Sequence, residues 1–133
     1  VVVKNLDPTI HIVNVQPEIN DKFNFVLLPE GKPVNVEFKK PEVAVMLRND
    51  IHPWMTAWVA VFDHSAFDVT GEDGRFEIGN LPAGEYTLDA WHEKLGRAQT
   101  EVLVKEGAPA EVTFTFTVTG AGSGAQEAAA SPE

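Results

Sequence analysis

The run Asn49-Asp50-Ile51-His52-Pro53-Trp54-Met55 holds the residues of this chain best suited to chemistry, with Trp58 just beyond it. Imidazole and thioether side chains are ligands of transition metals, the thioether favouring soft ions such as Cu(I). The run therefore reads as a metal-binding loop set between two β-rich halves. A second imidazole, His11, shares a face with Val13 and Val15 on an extended stretch. Thiol chemistry is excluded, because the 133 residues contain no cysteine. Disulfides, thiolate metal sites and thiol nucleophiles go with it.

Other chemically suggestive residues carry less. Asp63-His64-Ser65 sets a carboxylate, a base and a hydroxyl side by side, but successive residues of an extended chain point to opposite faces and form no local relay. His64 is expected to be an exposed turn residue. Ser123 lies between glycines without the strand-to-helix turn of a nucleophile elbow, and His92-Glu93 lacks the second histidine of a zincin helix. Asp68, Glu72 and Asp73 do not follow a calcium-loop spacing. Trp58 is expected in the core, whereas Trp54 at the loop tip suits either core or an interface anchor. No catalytic constellation is found, and the protein is expected not to be an enzyme.

The elements that must position these residues are strands. Residues 1–5 and 9–15 are extended around a turn at Leu6-Asp7-Pro8, and residues 16–33, with Pro17, Pro29, Pro33 and Gly31, suggest a long loop holding one extended piece at 23–28. Residues 34–38 alternate apolar and polar, and 43–47 form another strand. Residues 57–62 are apolar on both faces, which predicts a strand in the middle of a sandwich. Beyond residue 66 a hairpin is expected at 67–78 around Asp73-Gly74, then strands near 85–90 and at 102–104. Residues 110–118 show the clearest alternation in the chain, Val112, Phe114, Phe116 and Val118 against Thr113, Thr115 and Thr117.

The composition is globular, 44% apolar and 23% charged, and no apolar run approaches the roughly 18 residues of a membrane helix. A formal charge of −10 argues against nucleic acid and anionic membrane surfaces. The charge sits mostly in the second half, four Lys/Arg against eleven Asp/Glu over residues 63–118. It serves solubility or an acidic docking face. Val1 in place of Met is the start expected of a processed chain or a fragment. Residues 120–133, rich in Gly, Ala and Ser, are expected to form a flexible tail.

Asn5-Leu6-Asp7-Pro8-Thr9-Ile10-His11 followed by the 49–55 run resembles the cupredoxin half of a bacterial extracytoplasmic family. There an N-x-D-x-x-x-H segment and a C-D-V-H-P-W-M loop precede a transthyretin-like domain of the carboxypeptidase regulatory type. The second half is similar too, through Phe67-Asp68-Val69-Thr70-Gly71-Glu72-Asp73-Gly74-Arg75-Phe76, Leu81-Pro82-Ala83-Gly84-Glu85-Tyr86-Thr87-Leu88 and Ala90-Trp91-His92-Glu93-Lys94-Leu95-Gly96. The resemblance covers about residues 5–118. It implies copper ligands at His11, Asn49, His52 and Met55, and it places Asn49 where the family carries its thiolate. A blue-copper centre draws its affinity and redox behaviour from the Cu–thiolate bond, so the loop is expected to be a degenerate copper site in which His11, His52 and Met55 are vestigial ligands. The resemblance also implies that Trp91 fills core and that His92 bonds backbone. Family members have several strands before the first histidine, and here only residues 1–5 precede the turn.

The expectation is thus an all-β chain: a partial cupredoxin-like sandwich over residues 1–62 lacking N-terminal strands, a transthyretin-like antiparallel β-sandwich over 63–118, and a tail over 119–133. Its expected role is a non-enzymatic interaction module in the periplasm or another extracytoplasmic space. It would be an accessory subunit of a membrane-bound respiratory or photosynthetic electron-transfer complex, contacting protein partners through His52, Pro53 and Trp54. Membrane association would come through a partner or an upstream anchor. No cofactor is expected. The alternative is a copper-binding or electron-transfer protein using His11, His52 and Met55.

Overall fold

Apolar residues recurring at every second position draw the chain into eight antiparallel strands, and the computed structural model, described over residues 1–118, contains no helix among them. The fold is all-β. The expected tail at 119–133 and Ser123 lie outside the described residues. The chain divides into two units, Val1–Ser65 and Ala66–Glu133.

The first unit holds β1 (Val2–Val3), β2 (His11–Gln16), β3 (Phe23–Leu27), β4 (Val34–Asn35), β5 (Glu42–Asn49) and β6 (Thr56–Val61). β1 pairs with β4, and the other four form a sheet in the order β3-β2-β5-β6. Val15 on β2 and Val45 on β5, both wholly buried, centre the core with Pro17, Leu27 and Val36. Burying one such side chain stabilises the fold by roughly 1.5–3 kcal/mol. Asn5, in the β1–β2 connection, donates through Nδ2 to the carbonyl of Leu27 at the end of β3.

Strand β5 carries a bulge between Glu42 and Val45, with Ala44 at φ 71°. Glu42 and Asn49 are seven positions apart, so strict alternation would send them to opposite faces. The extra residue of the bulge resets the phase, and Glu42, Val45 and Asn49 are all buried. The Glu42 carboxylate accepts from the backbone N–H of Glu18, Ile19 and Asn20 and from Asn20 Nδ2. It thereby ties the β2–β3 connection to the start of β5.

Two expectations for this unit change. Residues 57–62, read as a central strand, supply β6, which is the edge of the four-stranded sheet. Trp58, expected in the core, is 39% exposed there. An apolar run reports hydrophobicity but not which side of a sheet lacks a neighbour.

The second unit is built on the β7 (Gly84–His92) and β8 (Gly96–Val104) hairpin, in register from Gly84↔Val104 to His92↔Gly96. Gly96 closes it at φ 86°, a conformation that glycine adopts without a Cβ clash. His92 Nδ1 accepts from the N–H of Lys94 and Leu95 at 3.1 and 3.3 Å, so His92 bonds backbone within its own turn. Residues 67–78 keep the expected turn, with Gly71 N donating to Arg75 O, but they do not form paired strands. The Asp68 carboxylate takes the place of a ladder partner. It accepts from the N–H of Glu77 and Val69, which hold its carboxyl below the usual range. Residues 110–118 likewise form no strand. Their burial alternates as the pattern predicts from Val112 to Phe116 but not at Val118, which is exposed, and Phe114 and Phe116 reach Phe76 and His92 with ring centroids 6.4 and 6.2 Å apart. Side-chain periodicity is satisfied by packing here, without a backbone ladder.

Candidate functional site

At one end of the four-stranded sheet, the start of β2 meets the end of β5. Val13 pairs with Asn49, and the N–H of Asp50 donates to Ile12 O at 2.8 Å. This register brings His11 and Asn49 together across 38 residues of sequence. The chain then turns over through 50–55 and re-enters as β6. Asn49 N donates to Met55 O at 3.0 Å and Met55 N to His52 O at 2.9 Å, so the loop closes on itself.

Asn49 builds the turn. Its Oδ1 accepts from the N–H of Ile51 at 2.9 Å and of His52 at 3.1 Å, the Asx-turn arrangement that short amide side chains favour. With the oxygen so held, Nδ2 faces inward. It lies 2.6 Å from His11 Nδ1, 3.3 Å from His52 Nδ1 and 3.6 Å from Met55 Sδ. The two ring nitrogens are 3.1 Å apart, and the imidazoles meet edge to face. The three sequence-predicted ligands, His11, His52 and Met55, therefore do converge, around the Asn49 amide.

The outer side of His11 is also built. Asn5 Nδ2 donates to Thr9 O at 2.7 Å while Asn5 Oδ1 accepts from Asp7 N at 2.8 Å. That tightened turn presents Asp7, whose Oδ2 lies 2.9 Å from His11 Nε2. A carboxylate there takes the Nε2–H and leaves Nδ1 with its lone pair turned inward. Asp7 and Asn5 are the functional residues that residue-type reasoning left without a role. Their signal was the N-x-D-x-x-x-H spacing itself.

Burial is uneven across the site. His11 and Asn49 are each 5% exposed, Met55 is 41% exposed and Trp54 is 79% exposed. Trp54 meets His52 edge to face at 5.3 Å, so of the two readings for Trp54 the structure takes the exposed loop tip. Ile51, Leu6, Ile10 and Leu28 are exposed at the same end of the sheet. Asp50 anchors the loop's flank, accepting from Arg48 at 3.2 Å and Asn14 at 3.3 Å. His64, in the Asp63-His64-Ser65 run, sits against Phe62 with centroids 5.3 Å apart.

Whether copper fits can be judged from the donors. Two imidazole nitrogens 3.1 Å apart can both reach one ion at the roughly 2.0–2.1 Å of imidazole ligation, and the thioether is near. The Asn49 amide nitrogen, however, turns hydrogens and no lone pair toward the same three atoms. Its oxygen, the one ligating atom it has, is engaged by two backbone N–H groups. As arranged, these residues do not fit a metal. Among the described residues no group of three or more His, Cys, Asp or Glu is placed to hold one. Nor is any helix long and apolar enough to cross a membrane. Comparison with known protein families, curated proteins and solved structures returned no match to this chain.

Proposed function

We propose that the chain is a non-enzymatic binding module, an extracytoplasmic accessory subunit that docks a membrane-bound electron-transfer complex through the 49–55 loop. The observation that carries this reading is the exposed Trp54 ring on a loop closed by its own hydrogen bonds and flanked by exposed Ile51 and Met55. An aromatic anchor on a preorganised loop loses little entropy on docking, and such residues dominate interface energies. Exposed Leu6 and Ile10 extend the apolar surface at the same end. The periplasmic setting and the type of complex rest on the resemblance to the cupredoxin-containing family.

The test is crosslinking and co-purification from native membranes. A defined membrane complex should be captured by the wild-type chain, and Trp54→Ala should weaken capture at least tenfold, about 1.4 kcal/mol. Because Trp54 is so exposed, its removal should shift folding stability by less than about 0.5 kcal/mol. A monomeric chain with no partner in crosslinked membranes overturns the reading. A second reading, copper binding through His11, His52 and Met55, is favoured by the convergence of their donor atoms. It requires the Asn49 amide to leave the centre, and direct titration with Cu(I) and Cu(II) decides it.

A further inference from the structure

We infer that Asn49 does the structural work of a metal in this loop, its amide hydrogens holding His11, His52 and Met55 together while closing the cluster to copper. The copper site implied by the family resemblance and the donors found here disagree, and the disagreement is specific to one atom. In a metal centre the lone pairs of three ligands converge on a cation. Here the His11 Nδ1 lone pair and the Met55 sulfur face Nδ2, a group that carries partial positive charge on two hydrogens, and His52 Nδ1 lies 3.3 Å from the same nitrogen.

Each side of the amide is committed. Oδ1 accepts two backbone N–H groups of the loop it organises, at 2.9 and 3.1 Å. Turning the oxygen inward to ligate would take the acceptor from both part-buried loop donors, a loss that opposes the flip. Nδ2 approaches His11 Nδ1 most closely, at 2.6 Å, donates to Met55 Sδ at 3.6 Å and lies 3.3 Å from His52 Nδ1. The acceptor state of His11 is set from behind, because Asp7 takes the Nε2–H. Asn49 is thus a positioning residue: it joins strand β2, strand β5 and the loop in one hydrogen-bonded cluster that needs no ion. The inference is independent of any docking partner, and it fails or stands without one.

The test uses the full chain and the substitution Asn49→Asp. A carboxylate keeps an oxygen for the Ile51 and His52 N–H groups but turns the inward atom from donor to acceptor; because it also adds a charge and a ligand, Asn49→Ala, which removes the amide's hydrogens and adds neither, is titrated beside it. Titrated with Cu(I), Cu(II) and Zn(II), the wild-type chain should show no binding tighter than about 1 µM. The aspartate variant should bind Cu(II) or Zn(II) at least about a hundredfold more tightly, with nitrogen coordination visible by electron paramagnetic resonance for copper. The alanine variant should gain Cu(I) affinity at least about tenfold over wild type, a change that removal of a side chain with only a packing role would not bring. In the wild-type chain, nuclear magnetic resonance should find the Asn49 side-chain NH2 protected from exchange relative to that of exposed Asn24, and His11 protonated on Nε2 alone. Wild-type binding tighter than about 1 µM, or a folded variant with no gain in affinity, overturns the inference. If neither variant folds, the wild-type spectra decide it: an Asn49 NH2 exchanging as fast as that of Asn24, or a His11 protonated on Nδ1, overturns it equally.

Discussion

Glu42→Gln tests how strand β5, whose far end supplies Asn49, is anchored. The Glu42 carboxylate is buried and has four donors: the backbone N–H groups of Glu18, Ile19 and Asn20, and Asn20 Nδ2 at 2.7 Å. Burial by itself pushes the carboxyl up, but the Asn20 side chain and the three backbone donors outweigh it and hold it at about 2, against an ordinary 4.5. The folded state thus favours the charged form. Its contribution is complete above the unfolded value of 4.5 and is lost as pH falls through the folded value near 2. At about 1.36 kcal/mol per unit of pKa the ceiling is about 3.4 kcal/mol. The donors come from a turn whose Glu18 and Ile19 are exposed, so screening lowers the expected loss to about 2–3 kcal/mol. Urea unfolding read by amide exchange in β2 and β5 measures it. The variant should be less stable by that amount at pH 7, and the gap should narrow as pH approaches 2. A gap under about 0.5 kcal/mol at pH 7, or one unchanged between pH 7 and pH 2, would refute the reasoning.

Asp7→Ala removes the acceptor behind His11, and nitrogen chemical shifts should then report a mixture of ring tautomers in place of one. The accompanying loss of stability should be only about 1 kcal/mol, because the Asp7 side chain is 54% exposed. A single unchanged tautomer would show that Asp7 does not orient the ring. Ala44→Gly relieves a left-handed backbone at φ 71°, which costs a non-glycine residue roughly 1–2 kcal/mol. Part of the gain is offset by the freer unfolded chain, about 0.4–1 kcal/mol. Thermal unfolding should show a net stabilisation of about 0.5–1 kcal/mol, and a destabilised variant would contradict the bulge geometry.

Much of the site was legible in residue types and spacing. His52 and Met55 sit three residues apart on a seven-residue run, and His11 lies on a stretch whose alternation predicts a strand; the structure brings the three together. Glu42 left no such signal. An isolated glutamate before a valine-rich strand looks like a solvated residue, and only the bulge at Ala44 turns it to the buried face. Two of the misread segments share a cause. Apolar content at 57–62 does not say whether a strand has one neighbour or two, and alternation at 110–118 reports side-chain burial, not whether the backbone finds a partner.

The sequence alone determined that the chain is all-β, since period-two patterning and frequent turn residues leave helix no continuous face. It also determined that no thiolate stands in the 49–55 loop. Tertiary structure decided what fills that place. The β2–β5 register sets His11 beside Asn49, and two loop N–H groups capture the amide oxygen, so the donor end of the side chain is the one that faces the imidazoles. An amide offers either a donor or an acceptor depending on which end is held, and that choice is made by the folded backbone around it.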